Sequence, residues 1–300
     1  MNSSPNKNLF IGFGFAMITI IIWSGNYVIA RGIANQIPPI SIAFFRWSTA
    51  SFFIILIGWK KFIEQKNILL QHKWYLFFTA ITGVTLFNTF IYVAGHFTSA
   101  INLVLIATTA APVFITIFSK IFLKEKINNF RIVGMIFCIT GILLLLSQGS
   151  WQKLMQLKFG KGDLWILTSA FVFSIYSILV KKKPVTIAPM SFLVTIFIFG
   201  TLMLLPFYII ETQVTEPLHW TNGMLFTILY LGIGNSVIGF LCWNASIARI
   251  GPARTSLFSN LMPVFSTVEA VIFLNEQFTI VHLMSGVVVI VGLIIANLKH

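Results

Sequence analysis

The residues able to do chemistry in this 300-residue chain are few, and they stand in apolar surroundings. Glu269 sits in "MPVFSTVEAVIFLNEQF", 262–278, and Arg46 in "IAFFRWSTA", 42–50. A carboxylate in such a setting can bind a cation, carry a proton or bond two helices together. A guanidinium there can attract an anion such as a substrate carboxylate, or bond helix ends together while its head reaches the interface. Two prolines stand behind polar residues in "ATTAAP", 107–112, and "FSNLMP", 258–263. Proline inside a helix frees the carbonyl four residues earlier, which is that of Thr108 for Pro112 and of Ser259 for Pro263. Thr109 and Asn260 adjoin them, so matched polar clusters lie beside matched kinks. They could line a site, or the hydroxyls could repair the kinks and glue helices.

Amides and aromatic rings add a second set. Trp23, Ser24, Asn26 and Tyr27 form one polar–aromatic stripe, and Ser174, Tyr176 and Ser177 form another. Asn88 and Tyr92 are candidate counterparts of Asn235, Trp243 and Asn244. An aromatic wall with a few amides suits a small amphipathic solute. Aromatic residues near the ends of apolar runs, such as Trp59, Trp74 and Trp220, read instead as interfacial anchors. No nucleophile–base constellation, paired intramembrane carboxylate or metal cluster is present, and no P-loop. His72, His96, His219, His282 and His300 pair with no Cys, Asp or Glu at metal-ligand spacing. Cys138 and Cys242 read as small apolar core residues. The chemistry on offer is binding of a solute, with no metal or cofactor, and not catalysis.

The elements that must hold these residues are membrane helices. Hydrophobic residues make up 57% of the chain and charged ones 9%, with mean hydropathy +0.92. A soluble domain is about 25% charged. Runs long enough to cross a bilayer core of about 30 Å fall at 9–30, 40–59, 74–94, 100–123, 130–147, 162–180, 188–210, 222–244, 253–274 and 280–298. The pattern predicts an all-α integral membrane protein with ten spans. Weak alternating strands of about ten residues, as in a transmembrane barrel, are not seen. The first run is too long for a signal-peptide core and lacks a cleavage site, so it is expected to stay.

The net charge of +13 raises the prospect of nucleic acid, but its distribution speaks for a membrane. With the N-terminus inside, the cytoplasmic segments hold 15 of the 20 basic residues, among them Lys60, Lys61, Lys124, Lys126 and Lys181–Lys183. This is the positive-inside asymmetry. It puts both termini in the cytoplasm of a cell whose plasma membrane carries the protein, with the bilayer as its partner and no nucleic acid.

The opening phrase is also repeated. "APVFITIFSKIFLKEKI", 111–127, matches it with Pro112 and Pro263, Phe114 and Phe265, and Glu125 and Glu276 all 151 apart. Gly83 and Gly234, and Gly141 and Gly292, keep that spacing. Gly12 and Gly162, Ser24 and Ser174, Pro39 and Pro189, and Ser41 and Ser191 are 150 apart. The copies are 1–147 and 148–300, five spans each. Because five is odd, the second copy enters the membrane upside down, the plan of many secondary transporters that work by alternating access.

"WSGNYVIARG", "FFRWS" and the paired "PVF…LKE" and "PVF…LNE" phrases resemble the EamA family of the drug/metabolite transporter superfamily. The resemblance spans nearly the whole chain. It implies a ten-helix transporter acting as a monomer, whose relatives export amino acids or other metabolites. Import of a metabolite such as S-adenosylmethionine is the alternative, and a membrane-embedded enzyme is the alternative of another class. The family's arginine position falls on Arg46. Substrate and coupling ion are not conveyed by family membership; Glu269 is the residue through which protons could be coupled.

Overall fold

The computed structural model describes residues 5–32, 36–98, 100–147, 149–155, 160–274 and 280–298, and every regular element among them is helical. Helix α1 is Pro5–Gly32, α2 Pro39–Glu64, α4 Ala100–Leu123 and α5 Asn129–Ser147. Helix α3, Lys73–Phe97, contains a π-helical stretch at Ile81–Leu86. The later elements are α6 Lys161–Lys181, α7 Pro189–Val214, α8 Asn222–Ile250 and α10 Ile280–Asn297. Helix α8 carries a second π stretch, Tyr230–Ile238. Helix α9 consists of Pro252–Leu257, a 3-10 turn Phe258–Leu261, and Met262–Leu274. Short helices Lys66–Gln71 and Trp151–Met155 lie in links.

Eight helices are long and apolar enough to cross a membrane by length and composition: α1, α2, α3, α4, α6, α7, α8 and α10. The sequence led us to expect ten. Helix α5 has a shorter apolar stretch, Asn129–Leu144, about 24 Å at 1.5 Å per residue. Helix α9 is divided by its 3-10 turn. That turn precedes Pro263, and Ser259 Oγ and Asn260 Nδ2 bond back to the carbonyls of Ser256 and Leu257 at 2.6 and 2.9 Å. Bonds to the carbonyl three residues back favour the tighter winding. Pro112, by contrast, stands inside a helix assigned as α throughout. Glu276 and the rest of 275–279 lie outside the described residues.

Packing follows a regular scheme. Helix α5 packs on α10, α2 on α7, α6 on α3 and α4, and α1 on α8 and α9. Adding five to each number, and counting round from ten to one, maps this set of pairs onto itself. Individual contacts repeat in the same way. The Ser51 and Thr201 hydroxyls, 150 residues apart, share a hydrogen bond of 2.9 Å. Cys138 Sγ meets the carbonyl of Val289, 151 residues on, at 3.5 Å. Ser191 Oγ donates to the carbonyl of Lys61 at 2.9 Å, and Ser41 Oγ to the Glu211 carboxylate at 2.7 Å. The two π stretches occupy corresponding places in the two halves of the chain.

The links sort into two ends. At one end Gln65 bonds to Thr186 and Ala188, Lys182 lies over the Phe122 ring, Arg131 faces Glu125, and Lys181 reaches the carbonyl of Ala248. At the other end Glu211 holds the start of α2, and Asp163 holds the end of α3 through Thr98. Between them the interior is filled by Trp47, Tyr176, Phe192, Phe197, Phe240 and Trp243, all buried. Large apolar side chains face outward at helical spacing, as in Leu283, Val287, Ile290 and Ile294 of α10. A helix with an apolar outer stripe is at home in lipid, where its backbone polar groups are already paired.

Candidate functional site

Two adjoining cavities lie in the middle of the bundle. The first is lined by Trp23, Phe87, Ile91, Phe173, Trp243 and Met262, with the hydroxyls of Ser169, Ser256 and Ser259 and the small Ala107 and Ala111. Its cavity volume is about 30 Å³. The second, about 10 Å³, is lined by Asn26, Arg46, Asn88 and Asn235 as well as Trp23, Phe87, Ile91 and Met262. The four shared residues form a common wall, so an apolar compartment and a polar one meet there.

Helix α1 supplies Trp23, whose indole N–H donates to the carbonyl of Asn235 at 2.9 Å. Its ring packs on Trp243 at 5.1 Å and on Phe173 at 5.8 Å. Phe173 in turn stacks on Phe87 at 4.2 Å. Gly239 leaves room for the Trp23 ring: a Cβ there would run into the indole nitrogen. These rings form a wall whose geometry depends on four helices at once, α1, α3, α6 and α8.

The polar compartment is organised by Arg46, which is 2% exposed. Its Nε donates to Ser236 Oγ at 2.7 Å, and its Nη1 donates to the Tyr92 hydroxyl at 2.9 Å and to Asn26 Oδ1 at 3.2 Å. It lies 5.3 Å from the Trp47 ring centroid. Ser236 Oγ itself donates to the carbonyl of Leu231, five residues back, as π winding allows. The π stretch of α8 thus aims Ser236 at Arg46. Every oxygen bonded to the guanidinium is neutral. Among the described residues the ion pairs are Lys61–Glu64 and Arg131–Glu125, so none involves Arg46. Beside it, Asn88 Nδ2 and Trp243 Nε1 are buried without a hydrogen-bond partner among the described residues, and the Asn235 side chain has no partner there closer than the neighbouring Tyr230 hydroxyl. Burying such groups unpaired is costly, and their concentration around two cavities marks a place where a solute would satisfy them.

The structure therefore brings together Trp23, Asn26, Arg46, Asn88, Asn235, Trp243 and Ser259 of the residues singled out in the sequence, with Tyr92 bonded to the group. Tyr176 lies one layer behind, its hydroxyl donating to Asn244 Oδ1 at 2.8 Å and its ring 5.7 Å from Phe173. Thr108, Thr109 and Asn260 line neither cavity, although Ala107 and Ala111 beside the threonines do. Pro112 and Pro263 are both buried. The Tyr27 side chain is outside the described residues. Glu269 is half-buried away from both cavities and accepts a hydrogen bond from Ser24 Oγ, tying α9 to α1. Ser266 Oγ donates to the carbonyl of Ser24 at 3.1 Å, and the Tyr230 hydroxyl to that of Ile22 at 2.6 Å, in the same layer.

Sequence reasoning missed Phe87, Phe173, Met262 and Ser236. With 31 phenylalanines in the chain, nothing separates Phe87 and Phe173 from lipid-facing rings. Ser236 had a signal, a polar neighbour of Asn235 in "GIGNSVIG". Two buried acids were also unremarked. Glu211 accepts from Ile40 N and Ser41 N at 2.9 and 2.6 Å, and Asp163 accepts from Gly160 N at 2.6 Å. Both sit at helix N-termini, where a negative charge is favoured. Among the described residues no group of three His, Cys, Asp or Glu could hold a metal ion.

A narrow polar site among apolar helices long enough to cross a membrane fits a multi-pass membrane transporter, and comparison with known proteins agrees. The model of the EamA-like transporter family matches residues 10–147 and again 160–298. The chain belongs to the EamA-like transporter family. An uncharacterized transporter of Archaeoglobus fulgidus is 24% identical over 285 residues, covering 94% of this chain and 96% of its own. A probable amino-acid metabolite efflux pump of Escherichia coli is 20% identical over 289 residues, covering 93% and 92%. A solved crystal structure superposes with a TM-score of 0.77 and 98% coverage of each chain at 19% identity, which shows the shared fold.

Proposed function

We propose that the protein is a secondary transporter that exports a small polar or zwitterionic metabolite, amino-acid-like in size, by alternating access. The observation that carries this reading is the buried Arg46 with the unpartnered Asn88 and Trp243 and the Asn235 amide around a narrow cavity deep among the helices. Space for about one water is too little for a metabolite, so this arrangement is a closed one that must open to load and release. Two relatives named probable amino-acid metabolite efflux pumps, at 21% and 20% identity, support a solute of that kind and the outward direction.

In this reading residues 1–147 and 148–300 are two inverted five-helix repeats, with α5 and α9 completing ten spans. The helix pairing that maps onto itself and the contacts repeated at 150 and 151 residues support it. Lys61, Lys124–Lys126 and Lys181–Lys183 gather at one end, which supports a cytoplasmic location for that end and for both termini in a bacterial inner membrane. Protons are the proposed coupling ion, through Glu269.

Purified protein in vesicles, loaded with a panel of amino acids and related metabolites and assayed for uptake and efflux with and without a proton gradient, tests the proposal. Gradient-driven movement of at least one solute is the expected result. Glu269→Gln should abolish gradient-driven accumulation and spare counterflow exchange, in which no net proton moves. No protein-dependent flux of any solute in either direction would overturn the transporter reading, and full gradient-driven transport by the glutamine variant would remove Glu269 from coupling.

A further inference from the structure

We infer that the solute is recognised by a carboxylate, bound in the polar compartment by Arg46, while an apolar or aromatic body fills the compartment beside it. The inference rests on the transporter reading and narrows it to a chemical class.

The donors decide the charge. Arg46 is buried, lines the second cavity, and has hydrogen bonds from Nε and Nη1 only; its Nη2 makes none. The partners it has are a serine hydroxyl, a tyrosine hydroxyl and an amide oxygen, which hold the guanidinium without neutralising it. A buried charge lacking a counter-charge is costly, and an arriving carboxylate would supply that charge together with acceptors for Nη2. Asn88 Nδ2 is a further donor there without a partner among the described residues, and the Asn235 side chain offers both an N–H donor and a carbonyl acceptor; both residues are essentially unexposed. An anion flanked by a guanidinium and two amides can accept several charge-assisted hydrogen bonds.

The rest of the lining fixes the other end of the solute. Beyond the shared wall stand Phe87, Phe173, Trp243 and Met262, with serine hydroxyls as the polar groups. No carboxylate lines either cavity among the described residues. An ammonium group would find no counter-ion there, and the site is built for an organic acid at least as well as for the matching amino acid. Aromatic faces can attract a cation, and the amine in the test below reads that possibility directly.

The test uses four compounds of one shape on the purified full-length protein: 3-phenylpropanoate, phenylalanine, 3-phenylpropanamide and phenethylamine. Binding is followed by tryptophan fluorescence, to which Trp23 and Trp243 contribute, and by thermal stabilisation. The expected order places 3-phenylpropanoate first, phenylalanine equal or weaker, and the amide and amine at least about tenfold weaker, the loss typical of one charged hydrogen bond. Arg46→Gln should bring the acid down to the level of the amide. The ligand order of the unmutated protein stands as evidence even if that variant does not fold. Amide or amine binding as tightly as the acid would overturn the inference, as would phenylalanine binding tenfold tighter or no binding of any of the four. Those outcomes leave the transporter reading intact, because flux of another solute in the vesicle assay judges it separately.

Discussion

Replacing Gly134 with alanine adds one carbon where α5 and α10 touch most closely. A Cβ at Gly134 would meet the carbonyl oxygen of Gly292, and would lie 2.5 Å from Ala296 Cβ and from the Ala296 backbone nitrogen. Two of those three atoms are backbone and cannot rotate away. Restoring ordinary contact requires the helices to part by about 1 Å, and overpacking of this kind costs about 1–3 kcal/mol. Gly14 is the internal control, because a Cβ there meets nothing within 4 Å. Gly14→Ala should gain up to about 1 kcal/mol from better helix propensity. The two variants, chemically the same substitution, are expected to differ by about 1–3 kcal/mol in reversible unfolding of purified protein, because the propensity gain is common to both and cancels. Gly292→Ala should resemble Gly134→Ala, since its Cβ would lie 2.7 Å from the Gly134 carbonyl oxygen and 2.8 Å from the Cys138 nitrogen. If Gly134→Ala and Gly14→Ala unfold within about 0.5 kcal/mol of each other, the scatter of innocuous surface changes, then α5 and α10 are not packed this closely and the seam is misplaced.

Two further outcomes are open to direct measurement. Glu211→Ala should cost about 1.5–3 kcal/mol, the range for hydrogen bonds to a charged group, because Ile40 N, Ser41 N and Ser41 Oγ lose their acceptor; Glu211→Gln should cost less, and equal stability of all three proteins in an unfolding titration would refute the cap. Cysteines at 151 and 219 should react with a membrane-impermeant reagent outside sealed cells while those at 66 and 182 do not; Trp151, His219, Lys66 and Lys182 are all exposed, so labelling of position 182 would contradict the orientation and not merely its accessibility.

How far the sequence disclosed the fold depended on whether a feature is periodic. Apolar runs located the long helices to within a few residues, because 20-residue stretches without charge have few other uses. Helix α2 still ran five residues past its expected end, to Glu64, since the lysines after Trp59 are compatible with helix once they reach the interface. The π stretches at Ile81–Leu86 and Tyr230–Ile238 were not foreseen, because their glycines and small polar residues, such as Gly83, Gly234 and Ser236, are equally compatible with ordinary α winding. Of the residues whose polarity stands out against an apolar background, Asn26, Arg46, Asn88 and Asn235 line the candidate polar cavity. Thr108, Thr109 and Asn260 stood out in the same way and line neither cavity. Asn260 does what small polar residues often do in helices and bonds back to a nearby carbonyl. Glu211 and Asp163 escaped notice because acids at the ends of apolar runs look like solvent-facing groups until the helix that each one caps is in place.

The duplicated frame and the unduplicated site have different work to do. Contacts that repeat at 150 or 151 residues, such as Ser51 with Thr201 and Cys138 with Val289, join equivalent points of the two halves. In the alternating-access transporter proposed above, halves built alike would exchange shapes at little cost, and the closed state would lie between two openings of similar energy. The groups that would hold the solute do not obey that rule. At the repeat spacing Arg46 corresponds to Ile196, Asn26 to Tyr176, Asn88 to Gly239 and Asn235 to Val84. Trp23 and Phe173 do correspond, and they meet at 5.8 Å in the apolar wall. The apolar wall therefore keeps part of the duplication, while the charged compartment belongs to one orientation only. A solute with two unlike ends is what such a site can hold in a single direction. The charge on Arg46 would then fix which end of the solute enters the polar compartment, whichever side the cavity opens to.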